Sequence, residues 1–285
     1  MKIAVLLATF NRKDKTLACL HNLKSQEIPE GPDLEIFLTD DASTDGTSEA
    51  IQAQFPETNV YHGNGSLFWA GGMIQSWTNA LSSKADYYLL LNDDTNLKRD
   101  AVKILLNCCS EFYTKHGSQA IGVGTTQDPD SKEITYGGRK LFSKYKPQSY
   151  RVQPGEHSIE CDMANSNIML VPAEIVTKIG ILSKEFTHAI ADFDYTLRAR
   201  KAGFSVIVAP GILGDCANDH AQNWKSSQVK LSERVKYLYS VKGLAYKEYL
   251  LFIKKHFPLN LPASFFKLWL KTLFPIVYDL FKKAA

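Results

Sequence analysis

The sequence contains no apolar run of the roughly 18 residues that a membrane-spanning helix needs. Its five cysteines lack the spacing of a zinc site or a redox pair, a pattern typical of free thiols in a reducing compartment. Residues 1–12 carry only a short apolar run and no cleavage-site pattern, so they predict a first strand and not a signal peptide. We therefore expect a cytosolic protein.

The sequence also lacks a large excess of positive or negative charge. The formal net charge of +3 is too small to indicate a nucleic-acid-binding protein. The hydrophobic content of 45% and the charged content of 22% are ordinary for a globular protein. A chain of 285 residues is long enough to bury the core of one large domain, or of one domain with an appendage.

Two phosphate-binding motifs are missing. The first predicted strand is followed by Thr9-Phe10-Asn11-Arg12, without the Gly-x-Gly-x-x-Gly turn of a dinucleotide-binding Rossmann domain, and a Walker loop is absent as well. The chain does contain a regular alternation of apolar strands and helical patterns, which predicts an α/β fold with a doubly wound, mostly parallel sheet. The predicted strands are residues 3–8, 34–38, 60–62, 87–91, 120–124, 168–172 and 206–210.

The fourth predicted strand ends on two adjacent carboxylates, Asp93 and Asp94. Ligands of open α/β sheets bind outside the carboxyl ends of the strands, so these side chains are expected at the mouth of a site. Two neighbouring carboxylates repel each other unless a cation lies near them. Mg²⁺ or Mn²⁺ would supply that charge and would bring a phosphate with it. The alternative is a solvated turn in which Asp94 or Thr95 caps the next helix.

Three short motifs follow one another in the first hundred residues, at positions 4–12, 40–47 and 92–94. Together they resemble a family 2 glycosyltransferase of the GT-A fold. The resemblance implies a GT-A-type sheet flanked by helices and a nucleoside-diphosphate sugar as the donor. It also implies inverting transfer, in which a catalytic base takes the proton of the acceptor hydroxyl group as its oxygen attacks the anomeric carbon.

The resemblance assigns the first two motifs to the nucleotide. The residues that it places there are Thr9, Asn11, Arg12, Asp40 and Asp41, with Asp41 reading the base and the ribose. For Asp40 and Asp41 the alternative is capping of a helix end. In the third motif, Asp94 would hold Mn²⁺ or Mg²⁺ on the diphosphate, and Asp93 would lie near the donor ribose or sugar. Asn92 replaces the first acid of that motif.

A glycine-rich loop is predicted at residues 63–73. Gly71 and Gly72 would allow the backbone to approach a ligand closely, Asn64 would contact it, and Trp69 would stack on the sugar. The alternative is that the bulky residues of this loop pack into the core. Further along, the resemblance places Asn165 or Asn167 near the sugar, and a polar hairpin is predicted at residues 128–155.

The second cluster of acids lies at the start of a predicted helix. Asp192 and Asp194 occupy its first turn, where the helix dipole favours anions, so capping is one interpretation. The family places its catalytic base here in a Glu-Asp-x-Asp pattern. Because Ala191 stands where the first acid would be, we assign the base to Asp192, with Asp194 supporting it. His188 is a candidate substrate contact, and His220 is a candidate metal or diphosphate ligand; an ordinary loop or surface histidine is the alternative for each.

The end of the chain has a different character. Helical patterns are predicted over residues 232–257 and 264–283, and both combine many aromatic and aliphatic residues with lysines. Pro275 is expected to end or kink the second helix. Such helices are suited to a membrane interface, where a lipid-linked acceptor would be met. The alternative is an interaction helix that covers the sheet or the partner in a homodimer.

The sequence therefore predicts a metal-dependent glycosyltransferase at the inner face of the cell membrane. It would transfer a sugar from a UDP- or dTDP-sugar to a hydroxyl group of a growing, lipid-linked surface polysaccharide. Residues 1–228 would form the GT-A domain, with a nucleotide-binding half (1–100) and an acceptor half (101–228), and residues 229–285 a helical extension. The alternatives are a sugar nucleotidyltransferase, disfavoured by the missing phosphate loop, and a non-catalytic glycan-binding or scaffold protein, supported by Ala191.

Overall fold

The structure is a computed structural model, and it describes residues 1–28, 33–188, 190–217 and 229–277. The chain divides into two compact units. The larger unit comprises residues 1–140 and 149–218, and the smaller unit comprises residues 141–148 and 219–285.

The elements follow the predicted alternation of strands and helices. The strands are β1 (Lys2–Thr9), β2 (Asp33–Asp40), β3 (Asn59–His62), β4 (Tyr87–Leu91), β5 (Asn96–Leu97), β6 (Ala120–Gln127), β7 (Ile134–Tyr136), β8 (Gly138–Leu141), β9 (Ser149–Arg151), β10 (Ile159–Cys161), β11 (Met163–Ala164), β12 (Ile168–Pro172) and β13 (Ser205–Asp215). The helices are α1 (Lys13–Lys24), α2 (Thr47–Gln54), α3 (Phe68–Ala80), α4 (Ala101–His116), α5 (Ala173–Ile179), α6 (Ala191–Lys201), α7 (Leu231–Tyr239), α8 (Tyr246–His256) and α9 (Leu261–Leu273).

The main sheet has the strand order β10-β13-β6-β12-β4-β1-β2-β3. Strands β3, β2, β1 and β4 run parallel to one another, and β6 runs parallel to β13. Strand β12 lies antiparallel between β4 and β6. The predicted fold class, a mostly parallel sheet flanked by helices, is confirmed. Because β1, β2 and β4 are parallel neighbours, the loops that follow them meet at one edge of the sheet.

Both faces of the central strands are covered. On one face, Val5 of β1 and Leu89 of β4 belong to an apolar cluster that includes Leu20 of α1 and Leu105 of α4. On the other face, α3 packs against β1 and β2. This packing is close, because a Cβ atom on Gly72 would lie 2.7 Å from the Cβ of Ala8. The apolar residues of the strands therefore belong to the core, as their continuous runs predict.

Helix α3 begins at Phe68, inside the segment predicted to be a loop. The prediction was wrong because it read the glycines at positions 71 and 72 as flexible, whereas here they lie within the helix. The carboxylate of Asp41 accepts hydrogen bonds from the backbone N–H groups of Leu67 and Phe68, at 2.8 and 3.2 Å. These groups would otherwise be without partners at the start of the helix, so the carboxylate stabilises this early start.

In the described part of the smaller unit, α7, α8 and α9 lie where two long helices were predicted. The predicted helix over residues 232–257 is interrupted between α7 and α8, where the backbone N–H of Leu244 donates to the carbonyl of Tyr237 and closes a turn. Gly243 makes that turn possible, since a Cβ atom there would lie 2.1 Å from the Tyr237 carbonyl oxygen. Helix α9 ends at Leu273, shortly before Pro275, as the proline predicted. Among the described residues, no helix is both long and apolar enough to cross a bilayer.

The contact between α3 and β1 yields a stability prediction. Gly72→Ala should lower the free energy of unfolding by about 1–3 kcal/mol, because the added methyl group collides with Ala8 across a closely packed helix–strand contact. Urea denaturation measures this loss. Ala8→Gly in the same chain removes the colliding methyl group, so the double variant should recover at least about 0.5 kcal/mol relative to the sum of the two single variants. If the loss in the double variant equals the sum of the two single losses, the close contact between Gly72 and Ala8 is contradicted.

Candidate active site

The predicted site residues gather at the carboxyl ends of β1, β2 and β4. Thr9 and Asp40 are paired in the register of β1 and β2, so the loops that follow them start side by side. Asn92 follows β4, and its backbone N–H donates to the carbonyl of Asn167 at 3.1 Å. The thiol of Cys216, just after β13, lies 3.6 Å from Oδ1 of Asp94. The loops that carry the nucleotide motifs thus meet Asn167 and Cys216 at one edge of the sheet.

The two adjacent carboxylates already face a cation, the guanidinium group of Arg12. Its Nη1 lies 2.6 Å from Oδ2 of Asp94 and 3.4 Å from Oδ1 of Asp93. Asp93 is buried, and both its burial and the charge of Asp94 raise the pKa of its carboxyl group to about 6, although Arg12 opposes the shift. The repulsion expected from the sequence is therefore present, and a side chain of the same protein offsets part of it.

A strained residue presents Arg12 to the carboxylates. Asn11 has a φ of 50°, in the left-handed region that side chains other than glycine seldom adopt. Its backbone N–H donates to Oγ of Ser43 at 2.8 Å, and its Oδ1 accepts from the backbone N–H of Thr44 at 2.7 Å. The loop after β2 thus holds the loop after β1 in this conformation. Strain that is maintained in this way is typical of functional sites.

A divalent cation would find suitable donors at Asp94. Carboxylate oxygens are the ligands that Mg²⁺ and Mn²⁺ prefer, and the short contact with Arg12 shows that this position attracts positive charge. In the described parts of the chain, no group of three or more histidine, cysteine or acidic side chains is arranged to enclose a metal ion. The residues present therefore fit an ion that takes its remaining ligands from a bound diphosphate or water. His220, the other predicted ligand, lies outside the described residues.

Asp40 and Asp41 are both buried and both organise the surrounding loops. Asp41 accepts from the backbone N–H of Gly65 at 2.8 Å, in addition to its two bonds at the start of α3. Asp40 accepts from the backbone N–H of Ser43 at 2.9 Å and from the hydroxyl of Ser48. Since a carboxylate offers about four acceptor positions, Asp41 keeps room for about one further bond. The bonds of Asp41 at the start of α3 match the capping role that the sequence left open as the alternative.

The glycine-rich segment contributes one side chain to the site. Nε1 of Trp69 donates to Oδ1 of Asn92 at 2.9 Å, which holds the indole beside the acidic motif. Asn64 is exposed and caps a local turn through Ser66. Gly71 faces Leu67 one helical turn earlier, and Gly72 faces Ala8. Both glycines therefore permit close packing, and their approach to a ligand stays a prediction.

Asp192 lies at the start of α6, as predicted, and is buried. Its Oδ1 accepts from the backbone N–H of Phe193 at 2.7 Å. Its Oδ2 accepts from the backbone N–H of Ser166 at 3.2 Å and from the side-chain amide of Asn165 at 3.4 Å. Burial raises the pKa of this carboxyl group to about 7, although the hydrogen bonds favour its charged form. The group is therefore poised to exchange a proton near neutral pH.

Asp194 has a structural role. Its side chain is fully buried and forms an ion pair of 2.9 Å with Nε of Arg198, one turn along α6. The same guanidinium donates to the carbonyls of Ile179 and Ile181, each at 2.8 Å. A carboxylate so enclosed stabilises the first turns of α6, and its predicted support of Asp192 stays a prediction.

The loop before α6 reaches the start of α3. The backbone N–H of Ala70 donates to the carbonyl of Thr187 at 3.1 Å, which places the loop that carries His188 beside the segment of Trp69. Asn167 is buried, and its side-chain amide lies 3.5 Å from the thiol of Cys216. Sequence reasoning missed Cys216, although its position directly after the last strand of the sheet marks it as a residue of this edge.

The ion pair in α6 yields a second stability prediction. Arg198→Gln should lower the free energy of unfolding by about 3–5 kcal/mol, because it leaves the carboxylate of Asp194 buried without its cation. Lys236→Gln is the matched control, since it breaks an exposed pair with Glu233 and should cost at most about 1 kcal/mol. Urea denaturation monitored by circular dichroism measures both losses. Equal, small losses would argue against the structural role of Asp194.

Two solved structures resemble the whole described fold. The crystal structure of S. aureus TarS (residues 1–349) in complex with UDP-GlcNAc has a TM-score of 0.54 and 16% identity; the match covers 90% of this chain and 73% of that one. The mannosyltransferase PcManGT from Pyrobaculum calidifontis, in complex with GDP-Man and Mn²⁺, has a TM-score of 0.53 and 15% identity, covering 82% of this chain and 60% of that one. Likenesses at this identity concern the fold alone.

Sequence comparison is more specific. No curated protein matches the chain at a significant level. Residues 4–164, more than half of the 285 residues, match the family described as glycosyl transferase family 2. The match begins in β1 and includes all three motifs on which the resemblance was based, as well as the acids at the edge of the sheet. The protein is therefore a glycosyltransferase and belongs to glycosyl transferase family 2.

Proposed function

We propose that the protein is a metal-dependent, inverting glycosyltransferase that uses a UDP- or dTDP-sugar as its donor. The observation that carries the proposal is the convergence, at one edge of the sheet, of a carboxylate pair facing a cation and a second, separate carboxylate with a pKa of about 7. The first is suited to a diphosphate with its metal ion. The second is suited to accepting a proton. The domain limits expected from the sequence are retained, with residues 229–285 as a helical extension.

The donor diphosphate would bind at Asp94. A divalent ion held there would neutralise the charge that grows on the departing nucleoside diphosphate. Arg12 is the natural partner for a phosphate oxygen, because its guanidinium already lies at this position and its planar donors match phosphate geometry. Trp69, held by Asn92, presents an aromatic ring beside the motif on which a sugar can stack. The Mn²⁺ in the complex of the mannosyltransferase supports the choice of ion.

Asp192 would act as the catalytic base. Its three hydrogen bonds hold the carboxylate in one orientation, and burial keeps it basic enough to accept the proton of the acceptor hydroxyl group. Inverting transfer requires the base on the face of the sugar opposite to the leaving group. Two hydrogen bonds support this assignment. The backbone N–H of Ser166 donates to Asp192, and the carbonyl of the next residue, Asn167, accepts from the backbone N–H of Asn92. Asp192 and the residue before the acidic pair are thus linked through two adjacent residues.

The acceptor would be a hydroxyl group on a growing, lipid-linked surface polysaccharide, met by the protein at the inner face of the cell membrane. The support is the composition of residues 229–285, which combine lysines with many aromatic and aliphatic side chains. The competing function, a non-catalytic protein on a transferase fold, is supported by Ala191 at the position of the missing acid. If substitution of Asp192 abolishes turnover, the protein is a glycosyltransferase with this residue as its base and not a non-catalytic protein.

Donor binding can be measured before any acceptor is known. Calorimetric titration of UDP and dTDP should show binding that Mn²⁺ strengthens, and the tighter of the two nucleotides identifies the nucleobase of the donor. Asp94→Ala should weaken the Mn²⁺-dependent binding by at least about tenfold, because the oxygen ligand of the ion is lost. Asp100→Ala, an exposed acid that makes no capping bond at the start of α4, is the control and should bind normally. Absence of binding for both nucleotides would overturn the donor assignment.

The role of Asp192 predicts a pH profile and a mutational effect. Because the base must be deprotonated, kcat/KM should rise with pH and level off above about 7. Asp192→Asn should lower kcat by about 10²–10⁴-fold and remove this rise, while leaving UDP affinity unchanged. Release of the nucleoside diphosphate from the donor that the titration identifies provides the assay. Unaltered turnover in this variant would favour another base, and inactivity of both proteins would favour the non-catalytic alternative.

A further inference from the structure

Two of the three buried side chains of helix α9 are small and polar, whereas several of its large apolar side chains are exposed. Its buried residues, Ser264, Leu268 and Thr272, are spaced by four and form one stripe. Phe266 and Leu273, spaced by seven, share the opposite face and are 64% and 42% exposed. Leu259, seven residues before Phe266, is 83% exposed. A surface helix of a water-soluble protein normally has the reverse arrangement, with its apolar stripe toward the core.

A second segment of the smaller unit extends this apolar surface. Phe142 and Tyr145 are 70% and 60% exposed, at the tip of the excursion formed by residues 141–148. The side-chain amide of Asn260 donates to the backbone carbonyl of Tyr145, which ties the tip to the residues at the start of α9. We call the set of Phe142, Tyr145, Leu259, Phe266 and Leu273 the apolar surface. Its side chains come from two distant parts of the sequence.

The apolar surface lies in the positively charged part of the chain. Residues 229–285 contain eleven lysines and arginines against three acids, a net charge of +8, whereas residues 1–228 have a net charge of −5. Exposed lysines flank the apolar surface at positions 144, 146, 254 and 267. Exposed aromatic side chains surrounded by lysines are typical of helices that lie in the plane of an anionic bilayer. Exposed apolar side chains rimmed by charged ones mark an interaction site.

We propose that the apolar surface binds the face of an anionic lipid bilayer, with its aromatic and aliphatic side chains in the interfacial region and its lysines at the lipid headgroups. Charge selects this occupant, because a second copy of the chain would bring the same positive charge against it, whereas an anionic bilayer attracts it. The purpose of this binding rests on the proposed function, since it would bring the enzyme to a lipid-linked acceptor. The binding itself is independent of transfer.

Flotation of the full chain with lipid vesicles tests the proposal. The protein should float with vesicles that contain phosphatidylglycerol, float weakly with phosphatidylcholine alone, and lose binding as salt is added. Leu259→Ser with Phe266→Ser should reduce binding at least about tenfold, because each side chain loses buried apolar area. Leu81→Ser with Tyr113→Ser is the matched control, since these exposed residues lie in the larger unit, and it should bind as the parent does.

The charge contribution is tested separately. Lys254→Gln with Lys267→Gln should weaken binding to the phosphatidylglycerol vesicles and leave binding to phosphatidylcholine unchanged. No flotation, or an equal loss in the control variant, would overturn the proposal. A dimer seen by sedimentation velocity that only the Leu259/Phe266 variant abolishes, without flotation, would assign the surface to a second copy. UDP titration on the same samples separates bilayer binding from the proposed function. Flotation without nucleotide binding would count against the proposed function alone.

Discussion

The repulsion between two adjacent carboxylates at the end of a buried strand organises this protein. Strand β4 carries Asp93 and Asp94 to the edge of the sheet, where burial and the charge of Asp94 raise the pKa of Asp93 to about 6. The protein offsets the charge with Arg12, and it maintains a left-handed backbone at Asn11 to do so. The loop after β2 holds that backbone in place. One electrostatic requirement thus connects three strands of the sheet.

A second pair of buried acids, Asp40 and Asp41, is bound by hydrogen-bond donors. The oxygens of Asp40 and Asp41 accept backbone and hydroxyl hydrogens from the loops around them. Because several donors bind each carboxylate, its orientation is set by the loops on both sides. The consequence is a rigid frame for the segment of Trp69. Gly63 belongs to this frame, because a Cβ atom there would lie 2.4 Å from Oδ1 of Asp41.

The sequence was sufficient to predict seven of the strands, a mostly parallel sheet and the edge at which the motifs meet, because continuous apolar runs followed by polar loops have few other interpretations. It assigned different roles to Asp192 and Asp194 only through the family resemblance. Asp192 and Asp194 look alike in the sequence, and only the position of Arg198 one turn along the helix distinguishes them. The close packing of Gly72 was not predicted for a related reason, since the close approach of Ala8 depends on how the helix lies on the sheet.

The two halves of the proposed reaction meet in one short segment. The backbone N–H of Ser166 binds Asp192, and the carbonyl of its neighbour Asn167 accepts from the backbone of Asn92, which precedes the acidic pair. Neighbouring Cα atoms across a trans peptide are about 3.8 Å apart, so Asp192 and the backbone of Asn92 are bound by residues that adjoin in the chain. The proposed inverting mechanism would benefit from this arrangement, because the base and the leaving group must stay on opposite faces of one sugar while the anomeric carbon gains a bond to the acceptor oxygen and loses its bond to the diphosphate.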